Sequence, residues 1–175
     1  MNQKVIAVVG AKKVGKTTTT ENLIAELTNR GYKVAAIKHI SEPDWTIDKP
    51  GKDTYRFAQK GAKIIIAIAA NEITTIEKTK TEKISFNELI KKAKGYDIIL
   101  TEGLKKEVAK KTSIPKIVIV TTKEEAENAL KTYKPVLAFS GPYNTQNINC
   151  EIPYVNARKE PEKLATLIEE KIIKA

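Results

Sequence analysis

The chain has 175 residues, 41% of them apolar and 6% aromatic, with a formal net charge of +10. That length suits one domain over residues 1–175 with an Ile/Val/Ala interior, while a lone cysteine, Cys150, excludes a disulfide or multi-cysteine metal framework and reads as a small buried hydrophobe. No apolar run is long enough to span a membrane, and the lysines lie scattered beside glutamates without a zinc-finger, aromatic RNA-binding or basic-tail pattern. Neither a membrane nor a nucleic-acid partner is expected, and the cytosol is the expected compartment.

Apolar strands alternate with amphipathic helices along the chain, the pattern of an α/β fold. KVIAVV (4–9) is a buried parallel strand that runs into a glycine loop, unlike a signal peptide, which ends in a small-residue cleavage site. The spacing of Leu23, Ile24 and Leu27 predicts a helix over 16–29, closed by Gly31. KVAAIK (33–38) is a second strand, 41–52 a loop, and about 53–60 a short helix. Strand 63–69 turns through NE into ITTIEK, whose alternation suits an antiparallel edge strand. Ser85 and Glu88 form a capping box before a helix with Phe86, Leu89, Ile90 and Ala93 inward. Strands follow at 96–103, 116–121 and 135–140, with a second capping box at Thr122 and Glu125. A last helix buries Leu164, Leu167, Ile168 and Ile172. The expected fold is a three-layer P-loop NTPase-like domain, its sheet mostly parallel with an antiparallel edge extension. In such sheets ligands bind beyond the carboxyl ends of the strands.

The first strand delivers Gly10, Gly15, Lys16 and Thr17 in the spacing G-x-x-x-x-G-K-[ST]. Glycines there let several backbone N–H groups converge on one anion, and the helix that follows adds its positive end. Lys16 is the candidate for the β/γ-phosphates and Thr17 for Mg²⁺; Lys12, Val14 and Thr18 complete the loop's candidate contacts. Lys13 is expected to face solvent.

IKHISEPDWTIDKPGKDTYR (37–56) follows the second strand and gathers Lys38, His39, Asp48, Lys52, Asp53 and Arg56. Asp48 is a candidate metal-ordering carboxylate or a turn former before Pro50–Gly51, and Asp53 a ligand or a helix cap. His39, the single histidine, is either a ligand contact or a structural hydrogen-bonder. DIILTEGLKK ends a hydrophobic strand with Glu102, the site where P-loop enzymes place a carboxylate that orders magnesium. Gly103 and Lys105 are further ligand candidates. TTKEE resembles a guanine-reading N/T-K-x-D element, but Glu125 stands at its fourth place, and the capping box explains the same residues.

In GAKKVGKTT, AAIKHI, IDKPGKDTYRFAQKGA, DIILTEGLK and IPKIVI, in that order, the chain resembles the MobB family, the molybdopterin-guanine dinucleotide biosynthesis adaptor proteins. The match spans 10–119; the tail beyond 121 resembles nothing specific. The resemblance implies a homodimeric GTP-binding protein with Mg²⁺, of the P-loop class shared with dethiobiotin synthetase and partition ATPases. It also implies slow GTP hydrolysis, a role with molybdopterin, and a MobA-type guanylyltransferase partner that performs the nucleotidyl transfer. Lys12 fits the family's third loop position, whereas ISEP replaces the extra histidine or acid that members often carry after IKH. An ATP-dependent kinase or dethiobiotin-type ligase and a nucleotide-switched interaction module remain alternatives from residues alone.

Overall fold

Lys4–Gly10 forms a central strand, β1, and the computed structural model builds a parallel five-stranded sheet around it. The structure describes residues 3–148 and 151–174, so Cys150 lies outside the described residues. β2 (Val34–Lys38), β5 (Ile98–Glu102), β6 (Lys116–Ile119) and β7 (Val136–Ser140) complete the sheet in the order β2-β5-β1-β6-β7. β1, β5 and β6 are buried from end to end or nearly so, as strands covered on both faces must be.

α1 (Lys16–Asn29) and α6 (Pro161–Ile168) cover one face, where Leu23, Leu27, Leu164 and Ile168 close over Ile6, Val8, Ile98 and Ile119. Full burial of such a side chain stabilises by roughly 1.5–3 kcal/mol. Gly31, at φ +89°, turns the chain out of α1 in the left-handed conformation that ends helices. Arg30 then ties α1 to α6: it donates to Glu26 at 2.8 Å, to Thr166 Oγ1 at 3.1 Å and to Glu169. On the opposite face α3 (Phe86–Lys92), α4 (Lys105–Val108) and α5 (Lys123–Thr132) supply Phe86, Leu104, Val108, Ala126 and Ala129 against Ala7, Val9 and Val118. Helices on both faces of a parallel sheet make the three layers expected.

The contacts divide into two compact units, Met1–His39 with Phe86–Ala175, and Ile40–Ser85. The second contains α2 (Asp53–Gln59) and an antiparallel hairpin, β3 (Ile64–Ile68) with β4 (Ile73–Glu77), which forms a two-stranded sheet of its own. Ile64, Ile66 and Ile68 share one face of β3 and are 60–79% exposed, with Ile73 of β4 at 71% beside them. Trp45, Ile47 and Phe57 are also exposed. No helix among the described residues is long and apolar enough to cross a membrane.

Candidate functional site

The carboxyl end of β1 opens directly into the glycine loop. Gly10 has φ +152°, and a Cβ there would lie 2.6 Å from the Ile119 carbonyl oxygen, so backbone of β6 excludes any side chain. Val14 is half-buried and packs into the α1/α6 core, which anchors the loop from within. Gly15, at φ +103°, precedes the first turn of α1, whose leading N–H groups are the anion-binding end of a helix. Lys16 Nζ donates to the Ala11 carbonyl and so crosses its own loop. Lys12 and Lys13 are exposed, the latter with the left-handed φ of 60° that a non-glycine residue adopts at a cost.

On one flank of the loop three predicted residues meet. Parallel register sets Lys38 of β2 beside Glu102 of β5, and Glu102 beside Val8 of β1. The Thr17 hydroxyl donates to Glu102 Oε1 at 3.0 Å. Lys38 Nζ reaches Thr17 Oγ1 at 3.1 Å and both Glu102 oxygens at 3.2 Å. A cation therefore already finds these oxygens a suitable seat. His39 continues the strand pairing, its N–H on the Glu102 carbonyl at 2.9 Å. Its Cβ stands 3.0 Å from where a Cβ on Gly103 would be, so Gly103, at φ +87°, gives the two strand ends room to converge. Lys105 is exposed at the start of α4.

The charges on this end are of one sign. Burial, then the Lys105 ammonium, holds Lys16 below the ordinary lysine value; Lys38 adds to this, and Glu102 alone opposes it. One carboxylate among three ammonium groups leaves a surplus of positive potential at a glycine loop, the condition for holding a polyanion.

The guanine-reading alternative at TTKEE finds no free acid. Glu125 Oε2 accepts from the Thr121 N–H at 2.7 Å and from its hydroxyl at 2.8 Å, and Thr122 Oγ1 accepts from the Glu125 N–H at 3.2 Å. The Thr121 bonds hold the carboxylate below its usual range. Thr122 caps the helix as expected, and only the acid's return bond is displaced by one residue, to Thr121.

Asp48, Lys52 and Asp53 belong to the second unit. Asp48 is buried and accepts from Thr54 Oγ1 at 2.8 Å through Oδ1; its Oδ2 has no partner among the described residues. Lys52 is exposed at the N-cap of α2, and Asp53 pairs with Arg56 at 3.2 Å in the first turn of that helix. Two features were missed from sequence: the Lys38–Glu102 pair, which needs strand register, and Arg158, whose guanidinium lies over Gly15. The rarity of arginine, with three in the sequence, was the only signal for the latter.

The family model of the molybdopterin guanine dinucleotide synthesis protein B, MobB, matches residues 5–140. The chain belongs to the MobB family. A relative from Methanocaldococcus jannaschii is 36% identical over 128 residues, covering 71% of this chain and 50% of that protein. The molybdopterin-guanine dinucleotide biosynthesis adapter protein of Haemophilus influenzae is 34% identical over 121 residues, covering 68% of this chain and 65% of its own length. This chain thus spans between half and two thirds of these curated relatives. The fold is also similar to a crystal structure of molybdopterin-guanine biosynthesis protein B, with a TM-score of 0.72 at 23% identity over 95% of this chain and 97% of that one. Bacillus subtilis MobB is similar at a TM-score of 0.71 and 24% identity, over 94% and 97% of the two chains. The match at 5–140 extends past 119, where the sequence resemblance ended, and takes in β7.

Proposed function

We propose that this chain binds a guanine nucleotide with Mg²⁺ at the loop Gly10–Thr18 and acts as an adaptor in building the guanine dinucleotide form of molybdopterin. The observation that carries the reading is the Thr17–Glu102 pair, 3.0 Å apart at the mouth of a glycine loop. One hydroxyl and one carboxylate fit Mg²⁺, which takes its remaining ligands from phosphates and water. When bound, the ion would neutralise charge on the β/γ-phosphates. Lys16 and the loop N–H groups would hold those phosphates in place, and Thr17 and Glu102 would hold the ion.

Hydrolysis by this set is slow: it includes no side chain that would orient a water for attack, so the expected activity is at most a weak GTPase. The choice of guanine rests on family membership, because Glu125 is spent on its cap. Lys49, Lys52 and Arg56, all exposed, are the candidates for the pterin phosphate, and the nucleotidyl transfer falls to a MobA-type guanylyltransferase. The isoleucine face of the hairpin suits a homodimer, since an exposed apolar ladder of this kind marks an association surface.

Thermal melting with Mg²⁺ and saturating GTP, GDP or ATP tests the central claim. GTP and GDP should raise the midpoint well above ATP, since a tight ligand at 100 times its Kd adds about 2.7 kcal/mol of stability. Equal protection by ATP would overturn the guanine reading, and no protection by any nucleotide would overturn the site.

A further inference from the structure

The tail beyond β7 carries no motif, yet it places a cation on the phosphate loop. After Ser140 the chain returns and pairs again with β7: the Phe139 N–H donates to the Pro153 carbonyl and the Val155 N–H to the Phe139 carbonyl, both at 2.9 Å. Ala157 is buried. Its N–H donates to Ser140 Oγ at 3.1 Å, and its carbonyl accepts from Asn22 Nδ2 of α1 at 2.8 Å. Asn156 then closes a turn, with Oδ1 accepting from the Arg158 N–H at 3.1 Å and its carbonyl from Glu160 at 2.8 Å. The backbone at Arg158 is therefore fixed to β7, to the helix that follows the loop and to its own turn.

The side chain is treated in the opposite way. Arg158 is exposed, and its guanidinium has no hydrogen bond or ion pair among the described residues. Arg30 by contrast is locked between Glu26 and Glu169, and Arg56 is paired with Asp53. The free guanidinium lies against the bare backbone of Gly15: a Cβ there would be 3.0 Å from Nη2 and 3.7 Å from Cζ. Sheet order gives the direction of approach. β1 is central, Lys38 and Glu102 come from β2 and β5 on one side, and the segment that follows β7 comes from the other.

We propose that Arg158 is a phosphate-binding residue of this site, contacting the nucleotide's α-phosphate from the flank opposite Lys38 and Glu102. The proposal rests on the nucleotide reading above and deepens it. A glycine loop cradles the α- and β-phosphates, its lysine takes the β/γ pair, and Thr17 and Glu102 would hold the metal on the hydroxyl side. Of these groups the α-phosphate is the one that neither the lysine nor the hydroxyl–carboxylate pair meets, and a donor on the far flank adds to the loop's hold on it. Guanidinium is always charged, and its planar fork matches two phosphate oxygens at once.

Isothermal titration of the full chain with GTP, GDP and ATP in Mg²⁺ tests this with Arg158→Gln, Arg158→Lys and Lys16→Ala. The exposed, unpaired side chain means that Arg158→Gln should melt as the wild type does. It should bind all three nucleotides about tenfold more weakly, by the same factor for each, and Arg158→Lys should recover part of the loss. Binding by Arg158→Gln within twofold of wild type, while Lys16→Ala loses it, overturns the Arg158 contact and leaves the nucleotide site standing. A loss seen for GTP but not for ATP makes it a base contact and overturns the α-phosphate assignment. A wild type that binds none of the three overturns the nucleotide reading itself.

Discussion

Two lysines sit near opposite ends of the central sheet, and both are held below the ordinary lysine value. Lys16, at the carboxyl end, is only partly buried; it stands among Lys38, Lys105 and the glycine loop, and neighbouring charge adds to burial in lowering it. Lys116, at the start of β6, is wholly buried and is pushed to about 8 by burial alone. Its Nζ donates to the Lys111 carbonyl at 2.7 Å and the Lys134 carbonyl at 2.6 Å. Lys16 has one backbone partner, the Ala11 carbonyl, and like charges around it; Lys116 has two backbone partners and no charged neighbour among the causes of its shift. Burial is the first cause in both, but only at the carboxyl end do neighbouring ammonium groups add to it, the arrangement on which the proposed phosphate site rests.

Removing each amine in turn separates the two environments. Lys116→Met should destabilise the fold by about 1–2 kcal/mol, because the Lys134 carbonyl loses its donor while the Lys111 carbonyl keeps the Ile114 N–H. Its nucleotide affinity should stay within twofold of wild type. Lys16→Met should do the reverse: unchanged or higher unliganded stability in urea, and no rise in melting midpoint with nucleotide. If Lys116→Met abolished nucleotide binding in a folded protein, the assignment of the two ends would be wrong.

A second test uses pH. The folded-state value of Lys116 lies below the unfolded one, so between about 8 and the ordinary value near 10.4 the unfolded chain holds more protons. Stability therefore rises with pH across that window, and the cost of burying the charge is fully present below it. The shift corresponds to at most about 3 kcal/mol, reduced by the two carbonyl bonds that favour the ammonium. Urea midpoints of wild type minus Lys116→Met, measured from pH 7.5 to 10, should climb with pH; a flat difference would mean the amine is not desolvated.

Lys38 offers a smaller effect on the functional end. Its ammonium holds the oxygens that Mg²⁺ is proposed to use, but the pair is half-exposed on the lysine side, and such pairs contribute about 0.2–1 kcal/mol. Lys38→Met should therefore tighten Mg²⁺ binding to the nucleotide complex by no more than about fivefold, read by Mg²⁺ titration of a fluorescent guanine nucleotide. A weaker Mg²⁺ response would show instead that Lys38 supports the phosphates directly.

Local patterns carried much of this into view. The bounds of α1, Lys16–Asn29, match those read from apolar spacing, and the glycine loop followed from four residues and the strand before them. What stayed hidden depends on long-range pairing. Lys116 looks like any strand-leading lysine until Lys111 and Lys134 turn their carbonyls on it. The hairpin reads as an edge extension because alternation gives a strand its faces but not its partner. Arg158 becomes visible only when the tail doubles back on β7, an event with no local signature. Glu125 is one residue out from its expected bond because two threonines in succession offer the same donors.

Lys13 tests the comparison at its finest grain. It lies inside the glycine loop, yet its side chain is exposed and its φ of 60° is one that only glycine adopts without strain. If the strain is merely tolerated, Lys13→Gly removes a cost of about 1–2 kcal/mol, offset in part by the freer unfolded chain. The net gain should be under about 1 kcal/mol in urea unfolding, with nucleotide affinity within twofold of wild type. A functional lysine gives the opposite pair of results: little gain in stability and a tenfold weaker complex. That outcome would add Lys13 to the cations of the carboxyl end and make its backbone strain part of holding the nucleotide, as strained residues at ligand clamps often are.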